Sequence, residues 1–169
     1  GSRFEEVGPV LITHWGLSGP AVLKLSAWAA RELHDKEYRY DIKVNWLYPQ
    51  SEEQVRDKLK NLRDSQPKKQ TKNQNLFNLP NRLWVRFLEI ASISADKRWA
   101  DVSNKNIHEL TQALVHATYN IQGKTTYKEE FVTSGGIPLN EVNPDTLESS
   151  LIPGLHFVGE VLDIDGITG

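Results

Sequence analysis

The stretch YRYDIKVNWLYP, residues 38–49, decides the fold, because it holds the clearest periodic signal and ends where that signal changes. Aromatic or aliphatic side chains stand at every second position from Tyr38 to Tyr48, with polar side chains between most of them. A strict period of two over this length predicts a β-strand with one buried face and one solvent-exposed face. A solvent-exposed face is more typical of antiparallel than of doubly wound parallel sheets.

Downstream of Pro49 the period becomes helical. Ser51, followed three residues later by Gln54, is a capping-box pattern that predicts the start of a helix. Apolar side chains then recur on one face of this segment, as in an amphipathic helix.

Two further helices are predicted in the same region. Pro80 precedes one apolar helical repeat, and Ser103 is placed as the N-cap of another. Gly123 is predicted to end the last helix as a left-handed cap. We therefore expect an inserted helical lobe over residues 50–122.

The segments on either side of this lobe read differently. A short strand is predicted over residues 7–13, a helix over residues 20–34 and a return to strand over residues 124–133. The chain is therefore predicted to be an α+β protein, with a discontinuous β-rich lobe made from residues 1–48 and 124–150.

Composition excludes several classes of function. The 169 residues are 38% hydrophobic and 25% charged, with a net charge of −2, which implies no strong attraction to polyanions or membranes. The absence of cysteine excludes disulfides, thiolate chemistry and cysteine-based zinc sites, and it fits a reducing cytoplasm. No apolar run approaches the ~20 residues of a membrane span.

The last stretch, LIPGLHFVGEVLDIDGITG, residues 151–169, carries candidate ligand chemistry. A β-prone run at residues 155–158 ends at Gly159, where the missing Cβ lets a ligand approach the backbone. Glu160 can accept hydrogen bonds from ligand hydroxyls. Residues 165–169 read as a tight turn before a helix N-terminus, so we expect the chain to stop within a motif.

Four motifs carry a resemblance to a known family. They are TSGGI at 133–137, PGLHFVGE at 153–160, DIDGITG at 163–169 and THWGLSGP at 13–20. In this combination the chain resembles bacterial NAD(P)/FAD-dependent oxidoreductases, the aminoacetone-oxidase-like FAD-binding flavoproteins. The resemblance implies a domain fragment: an insert domain, with a small antiparallel β-barrel-like lobe carrying a helical bundle. Residues 151–169 would be the truncated start of the returning FAD-binding segment.

The resemblance also implies site residues. Cofactor-binding positions would be Gly135, Gly136, Gly159, Glu160, Asp163, Gly166 and Gly169. His14 and Trp15 are candidates for the substrate side, and the catalytic residues stay unknown. The Gly-x-Gly-x-x-Gly dinucleotide fingerprint is absent from the sequence. We therefore expect FAD in a cytoplasmic parent oxidoreductase, but no bound FAD and no activity in this chain alone.

The expected partners are the rest of the parent flavoprotein in cis and a small-molecule substrate. Neither nucleic acid nor membrane is expected, and self-association through the truncated strand is a further expectation. The alternative is a non-catalytic interaction module, in which the helical lobe binds a protein or nucleic-acid partner. The lysines at 68, 69 and 72 are interpreted as part of a solvated loop over residues 65–75, because a nucleic-acid patch needs more basic residues.

Two other chemistries are set aside. The segment at residues 16–20 has the strand-to-helix context of a hydrolase nucleophile elbow around Ser18, but Pro20 stands in place of the second glycine. The five histidines form no metal-binding signature.

Overall fold

The structure is a computed structural model, and it describes residues 4–124 and 135–164. In chain order its helices and strands are β1 (Leu11–Ile12), β2 (Leu17–Ser18), α1 (Pro20–Trp28), α2 (Ala30–Asp35), β3 (Arg39–Val44), α3 (Glu52–Ser65), α4 (Asn81–Ile90), α5 (Asn104–Val115) and β4 (Ala117–Gln122). Short 3-10 turns lie at Thr71–Asn73, Trp99–Asp101, Leu139–Glu141 and Gly159–Val161. The predicted α+β class is confirmed.

The strands form two small antiparallel sheets, β1 with β2 and β3 with β4. Within the described ranges they do not close into the barrel that the resemblance implied. The predicted strand at residues 124–133 lies outside the described residues except for Lys124. The strand that follows the helices and pairs with β3 is β4, just upstream of it.

The chain divides into two compact units. Residues 41–120 form one, here called the helical unit, and residues 1–40 with 121–169 form the other, the discontinuous unit. The predicted boundaries of the lobes, near residues 49 and 123 and at residue 151, stay a prediction.

Strand β3 confirms the alternation but is shorter than predicted. Its side chains alternate between exposed and half-buried as far as Val44. There the Asn45 side-chain oxygen accepts a hydrogen bond from the Leu47 amide at 2.9 Å, which turns the chain and places Leu47 in the core. The Trp46 amide donates to the Leu114 carbonyl at 2.9 Å, so the strand end is fastened to α5.

The core of the helical unit is built from one face of each of its three helices. The buried side chains on those faces are Val55, Leu59, Leu62, Trp84, Phe87, Leu88, Ile107, Leu110 and Leu114. The Trp46 ring meets Phe87 edge-on at 6.1 Å, and its indole N–H donates to the Tyr119 hydroxyl at 3.1 Å. The aromatic contacts and the aliphatic faces therefore form one continuous cluster.

Helix starts follow the predicted capping chemistry. Ser51 Oγ accepts from the Gln54 amide at 3.2 Å, and the Gln54 side chain accepts from the Ser51 amide at 2.9 Å. Ser103 and Asn106 form the equivalent pair at α5. Each reciprocal pair satisfies two backbone donors that a helix start leaves open.

The predicted end of the last helix was wrong. Helix α5 ends at Val115, with His116 as its C-cap, and the chain passes directly into β4. Gly123 follows that strand and caps no helix. The alternating pattern of Ala117–Gln122, with β-branched and aromatic side chains in it, suits a strand.

Two loops of the helical unit are joined side by side; residues 66–73 and 94–101 are here called the paired loops. Four backbone hydrogen bonds connect them, among them Thr71 N–H to Lys97 O and Trp99 N–H to Lys69 O, at 2.9 and 3.0 Å. Thr71 is fully buried, and its hydroxyl lies 3.0 Å from the Ser94 carbonyl oxygen. The exposed loop predicted for residues 65–75 is therefore wrong at Thr71.

The discontinuous unit begins with a hairpin and a broken helix. The predicted helix over residues 20–34 is two helices, because Ala29 ends α1 and precedes α2. Gly19, just before α1, has φ +98°, and a Cβ there would lie 3.0 Å from the Pro9 carbonyl oxygen. Only glycine lets the helix start so close to the hairpin backbone.

Candidate functional site

Two glycine-containing segments meet in the discontinuous unit; residues 135–137 and 159–163 are here called the glycine site. The Ile137 amide donates to the Val161 carbonyl at 2.8 Å, and the Asp163 amide donates to the Ile137 carbonyl at 2.9 Å. These bonds form a short parallel bridge between Ile137 and Leu162. These bonds hold two segments side by side that lie more than twenty residues apart in sequence.

Gly136 is required by this contact. A Cβ at Gly136 would lie 2.6 Å from the Val161 carbonyl oxygen and 2.6 Å from the Leu162 carbonyl carbon. Real Cβ atoms do not approach backbone so closely, so any other residue must move one segment. A Cβ at Gly135 would meet nothing within 4 Å, which leaves open space on the outer side of the same loop.

Gly159 and Glu160 form the other edge of the site. Gly159 has φ +75°, a conformation that favours glycine, and it starts the 3-10 turn Gly159–Val161. The Leu162 amide closes the turn on the Gly159 carbonyl at 3.2 Å. Glu160 is exposed beside this turn. Its carboxylate is placed where it can accept hydrogen bonds from a ligand.

Asp163 is held differently from Glu160. Its carboxylate forms an ion pair with Arg31 on α2, and its side chain is 23% exposed. A ligand hydroxyl at Asp163 would share that carboxylate with the guanidinium. Sequence reasoning missed Arg31, because 132 positions separate the two residues and no local pattern links them.

The substrate-side candidates occupy the tip of the β1–β2 hairpin. The Thr13 hydroxyl oxygen lies 3.2 Å from both the Trp15 and Gly16 amides, and the Thr13 amide donates to the Gly16 carbonyl at 2.8 Å. The tight turn presents His14 to solvent and leaves the Trp15 side chain 73% exposed. An aromatic ring held outward in this way suits stacking against a flat ligand.

The structure brings some of the predicted cofactor residues together and leaves others apart. Gly135, Gly136, Gly159, Glu160 and Asp163 lie in the glycine site, whereas Gly166 and Gly169 lie outside the described residues. In the described part of the chain, the hydrogen bonds of the hairpin tip join Thr13 to Trp15 and Gly16 and do not reach the glycine site. The ligand-binding roles of all these residues stay predictions.

The segment before Gly159 was predicted as a strand and is not one. Residues 155–158 contain only an isolated bridge, between His156 and Glu148. The Ser149 amide donates to the Leu155 carbonyl and the Phe157 amide to the Leu147 carbonyl, while Val158 is 71% exposed. Among the described residues no strand lies beside this β-prone run to complete a ladder, and the run forms this local bridge instead.

The described residues contain no group of three or more acidic or histidine side chains that could hold a metal ion. None of the helices in residues 4–124 and 135–164 is long and apolar enough to cross a membrane.

The fold defines a class of mixed α+β domains, in which the helical unit stands in sequence between the two segments of the discontinuous unit. Within that class the chain belongs to the HI0933-like proteins, whose barrel and H2TH domain matches residues 2–132. The resemblance to a flavoprotein family is thereby confirmed.

Three relatives are similar over nearly the whole chain. Ribosomal RNA dihydrouridine synthase of Escherichia coli K12 is 32% identical over 100% of the chain and 39% of its own length. Its Haemophilus influenzae counterpart is 30% identical over 95% of the chain and 37% of its own length. A 3-dehydro-bile acid delta(4,6)-reductase of Clostridium scindens is 30% identical over 98% of the chain and 40% of its own length. The chain spans about two fifths of the length of these relatives.

Proposed function

We propose that this chain is the insert domain of an FAD-dependent oxidoreductase, where it covers the flavin and shapes the substrate pocket. The observation that carries the proposal is the glycine site, in which two segments meet so closely that Gly136 admits no side chain. Membership in a flavoprotein family supports the same role. On its own the chain is proposed to be inactive.

The glycine site fits one flank of a dinucleotide cofactor. Backbone without side chains at Gly135 and Gly159 allows close approach, and the exposed Glu160 carboxylate can accept hydrogen bonds from cofactor hydroxyls. The glycine-rich turn that usually binds the pyrophosphate is not in the sequence. The chain would therefore contribute a few hydrogen bonds to FAD, and other parts of the longer protein would contribute the rest.

The relatives' names suggest one reaction class. Dihydrouridine is uridine with its C5=C6 bond reduced, and the bile-acid enzyme is named for reduction at positions 4 and 6 of a 3-oxo substrate. In each case the double bonds are conjugated to a carbonyl, so each reduction adds a hydride to the double-bond carbon farther from the carbonyl and a proton to the nearer one. Reduced FAD, when bound, would supply the hydride.

This chain's own residues would position that reaction. The indole of Trp15 offers a flat surface against which a substrate ring can stack, and the His14 imidazole beside it can hold or move a proton. NAD(P)H as the electron donor and a cytoplasmic location complete the proposal. The absence of cysteine fits a reducing compartment.

The test compares the 169-residue chain with the longer protein that contains it. Both are purified, and the flavin absorbance and FAD affinity are measured by spectroscopy and calorimetry. We expect flavin only in the longer protein, and Glu160→Ala there should weaken FAD binding about tenfold or more, since a charge-assisted hydrogen bond is worth about 1.5–3 kcal/mol.

The matched control is Glu53→Ala, which removes an exposed carboxylate from α3 in the helical unit. It should leave FAD affinity unchanged. Micromolar FAD binding by the short chain, or equal FAD affinity in the Glu160→Ala and Glu53→Ala proteins, would overturn the assignment.

A further inference from the structure

The two units carry opposite charge. The helical unit holds thirteen lysines and arginines against nine aspartates and glutamates, a net charge of +4. The discontinuous unit holds seven against thirteen, a net charge of −6. The net charge of −2 for the whole chain is therefore the sum of a basic and an acidic unit. A basic region on a protein of low net charge is a candidate surface for anionic partners.

The paired loops concentrate this positive charge. Residues 66–73 contribute three lysines, and residues 94–101 contribute Lys97 and Arg98 beside two aspartates, which leaves a net charge of +3. The backbone bonds of Thr71 to Lys97 and of Trp99 to Lys69 bring the two sets of basic residues into one place. In sequence the two sets lie almost thirty positions apart.

Three of these basic side chains have no acidic partner among the described residues. Lys72 pairs with Asp96 at 2.5 Å and Arg98 with Asp101 at 3.4 Å. Lys68, Lys69 and Lys97 form no ion pair with any residue in 4–124 or 135–164. Lys68 and Lys69 are exposed and Lys97 is half-buried, and the backbone bonds of the paired loops hold the three residues in neighbouring segments.

The loops that carry these lysines are firmly held. The Trp84 indole N–H donates to the Thr71 carbonyl at 3.0 Å from within the core, and Thr71 is fully buried between the loops. A surface whose backbone is fixed in this way loses little conformational entropy when it binds a ligand.

We propose that the paired loops bind the phosphate backbone of RNA. Phosphate oxygens are the acceptors that lysine ammonium groups bind, and this recognition does not depend on sequence. The aromatic residue of the paired loops, Trp99, is fully buried, so base stacking does not contribute there. No large apolar side chain is exposed in either loop, which disfavours a membrane surface.

This inference rests on the proposed function for its choice of RNA, because two relatives are named as ribosomal RNA dihydrouridine synthases. It departs from the expectation of no nucleic-acid partner. That expectation counted only the lysines at 68, 69 and 72, and the second loop supplies basic groups that no sequence pattern placed beside them.

The experiment measures binding of a short fluorescein-labelled RNA hairpin to the 169-residue chain by fluorescence anisotropy, between about 50 and about 200 mM salt. The test variant is Lys68→Gln/Lys69→Gln/Lys97→Gln. We expect its Kd at low salt to rise about tenfold or more, and the slope of log Kd against log salt to fall by about 2, since each lost phosphate contact removes about 0.7–0.9.

The control variant is Lys36→Gln/Lys43→Gln/Lys60→Gln, which removes the same charge from lysines outside the paired loops. Circular dichroism and thermal unfolding check that both variants are folded. An equal loss of affinity in the two variants would overturn the proposal. So would binding to polyglutamate, or to vesicles of phosphatidylserine and phosphatidylcholine, as tight as binding to RNA.

The RNA-binding experiment and the FAD-binding experiment can succeed or fail independently of each other. RNA affinity is read on the short chain, whereas flavin retention is read on the longer protein. Loss of RNA binding in the triple-glutamine variant with normal flavin retention supports the RNA site alone. Normal RNA binding by the chain with no flavin in the longer protein refutes only the oxidoreductase role.

Discussion

The helical unit and the discontinuous unit bury their apolar side chains to very different extents. The helical unit has a cluster of fifteen buried residues, with Trp84 and Trp99 fully buried at its centre. Among its described residues, the discontinuous unit buries three alanines, Val142 and Leu162. Its Trp15 and Trp28 side chains are 73% and 58% exposed.

This difference separates stability from ligand binding within one chain. Burial of apolar surface is the main favourable term in folding, at about 25 cal/mol per Å², so the folding free energy concentrates in the helical unit. The glycine site depends instead on a few backbone hydrogen bonds and on the absence of side chains. Such a site can be rebuilt around a ligand with little effect on the global stability.

The strongest test of this comparison is a pair of tryptophan substitutions. Trp84→Ala should lower the free energy of unfolding by about 3–5 kcal/mol, because it opens a cavity and removes the donor to the Thr71 carbonyl. Trp28→Ala, at an exposed position in α1, should lower it by less than about 1 kcal/mol. Urea unfolding of both variants measures the difference. Equal losses would contradict the assignment of the folding free energy to the buried cluster of the helical unit.

The same division governs what could be read from the sequence. Helices α3, α4 and α5 were predictable, because their apolar faces repeat every 3.6 residues and Ser51 and Ser103 mark two of the starts. The strand β3 was predictable from its alternation, but not the turn at Asn45, where a side-chain hydrogen bond outweighs the pattern.

The remaining features depend on contacts between distant segments. Neither the pairing of residues 66–73 with 94–101 nor the ion pair between Arg31 and Asp163 has any local periodicity. The glycines of the candidate site could be singled out from their motif, whereas the closeness of Gly136 to Val161 required the fold. Local sequence patterns predict helices and strands, but they do not predict hydrogen bonds between distant loops.

A second test addresses the glycine site. Gly136→Ala should cost about 1–3 kcal/mol of local stability, because the new methyl group overlaps the Val161 carbonyl oxygen. Amide hydrogen exchange at Ile137 and Asp163, whose N–H groups hold the two segments together, should accelerate. The control Gly135→Ala introduces a side chain at φ +94° with nothing within 4 Å, so it should cost only roughly 1 kcal/mol.

If Gly135→Ala opened those two amides as much as Gly136→Ala does, backbone conformation and not close approach would explain the requirement for glycine. The two variants can also be compared in the longer protein. There the affinity for FAD should fall more for Gly136→Ala than for Gly135→Ala, because only the Gly136→Ala methyl group overlaps the facing segment.

A third and smaller effect concerns the helix starts of the helical unit. Ser51→Ala removes the acceptor for the Gln54 amide, and it should lower the free energy of unfolding by about 1 kcal/mol. Ser51→Asp should retain most of the stability, because aspartate is an equally good N-cap residue. Thermal unfolding of the two variants reads this directly, and an identical loss in both would remove the capping explanation.

The smallest expected effect is a pH dependence at the start of α3. A hydrogen bond from Gln112 lowers the pKa of Glu52 below its ordinary value of 4.5, with a further contribution from His116, whose Nε2 lies 3.2 Å from the carboxylate. A carboxyl group with a lowered pKa in the folded state contributes stability above its unfolded pKa, and this contribution is lost as the pH falls through the folded pKa.

Glu52→Gln should therefore flatten the profile of unfolding free energy against pH below about pH 4.5, and it should lower the free energy of unfolding slightly at neutral pH. Gln112→Ala should raise the pKa of Glu52, because it removes the first of these hydrogen bonds, and NMR titration of the Glu52 carboxyl carbon measures the change. An unchanged pKa of Glu52 in the Gln112→Ala protein would remove that hydrogen bond as the cause.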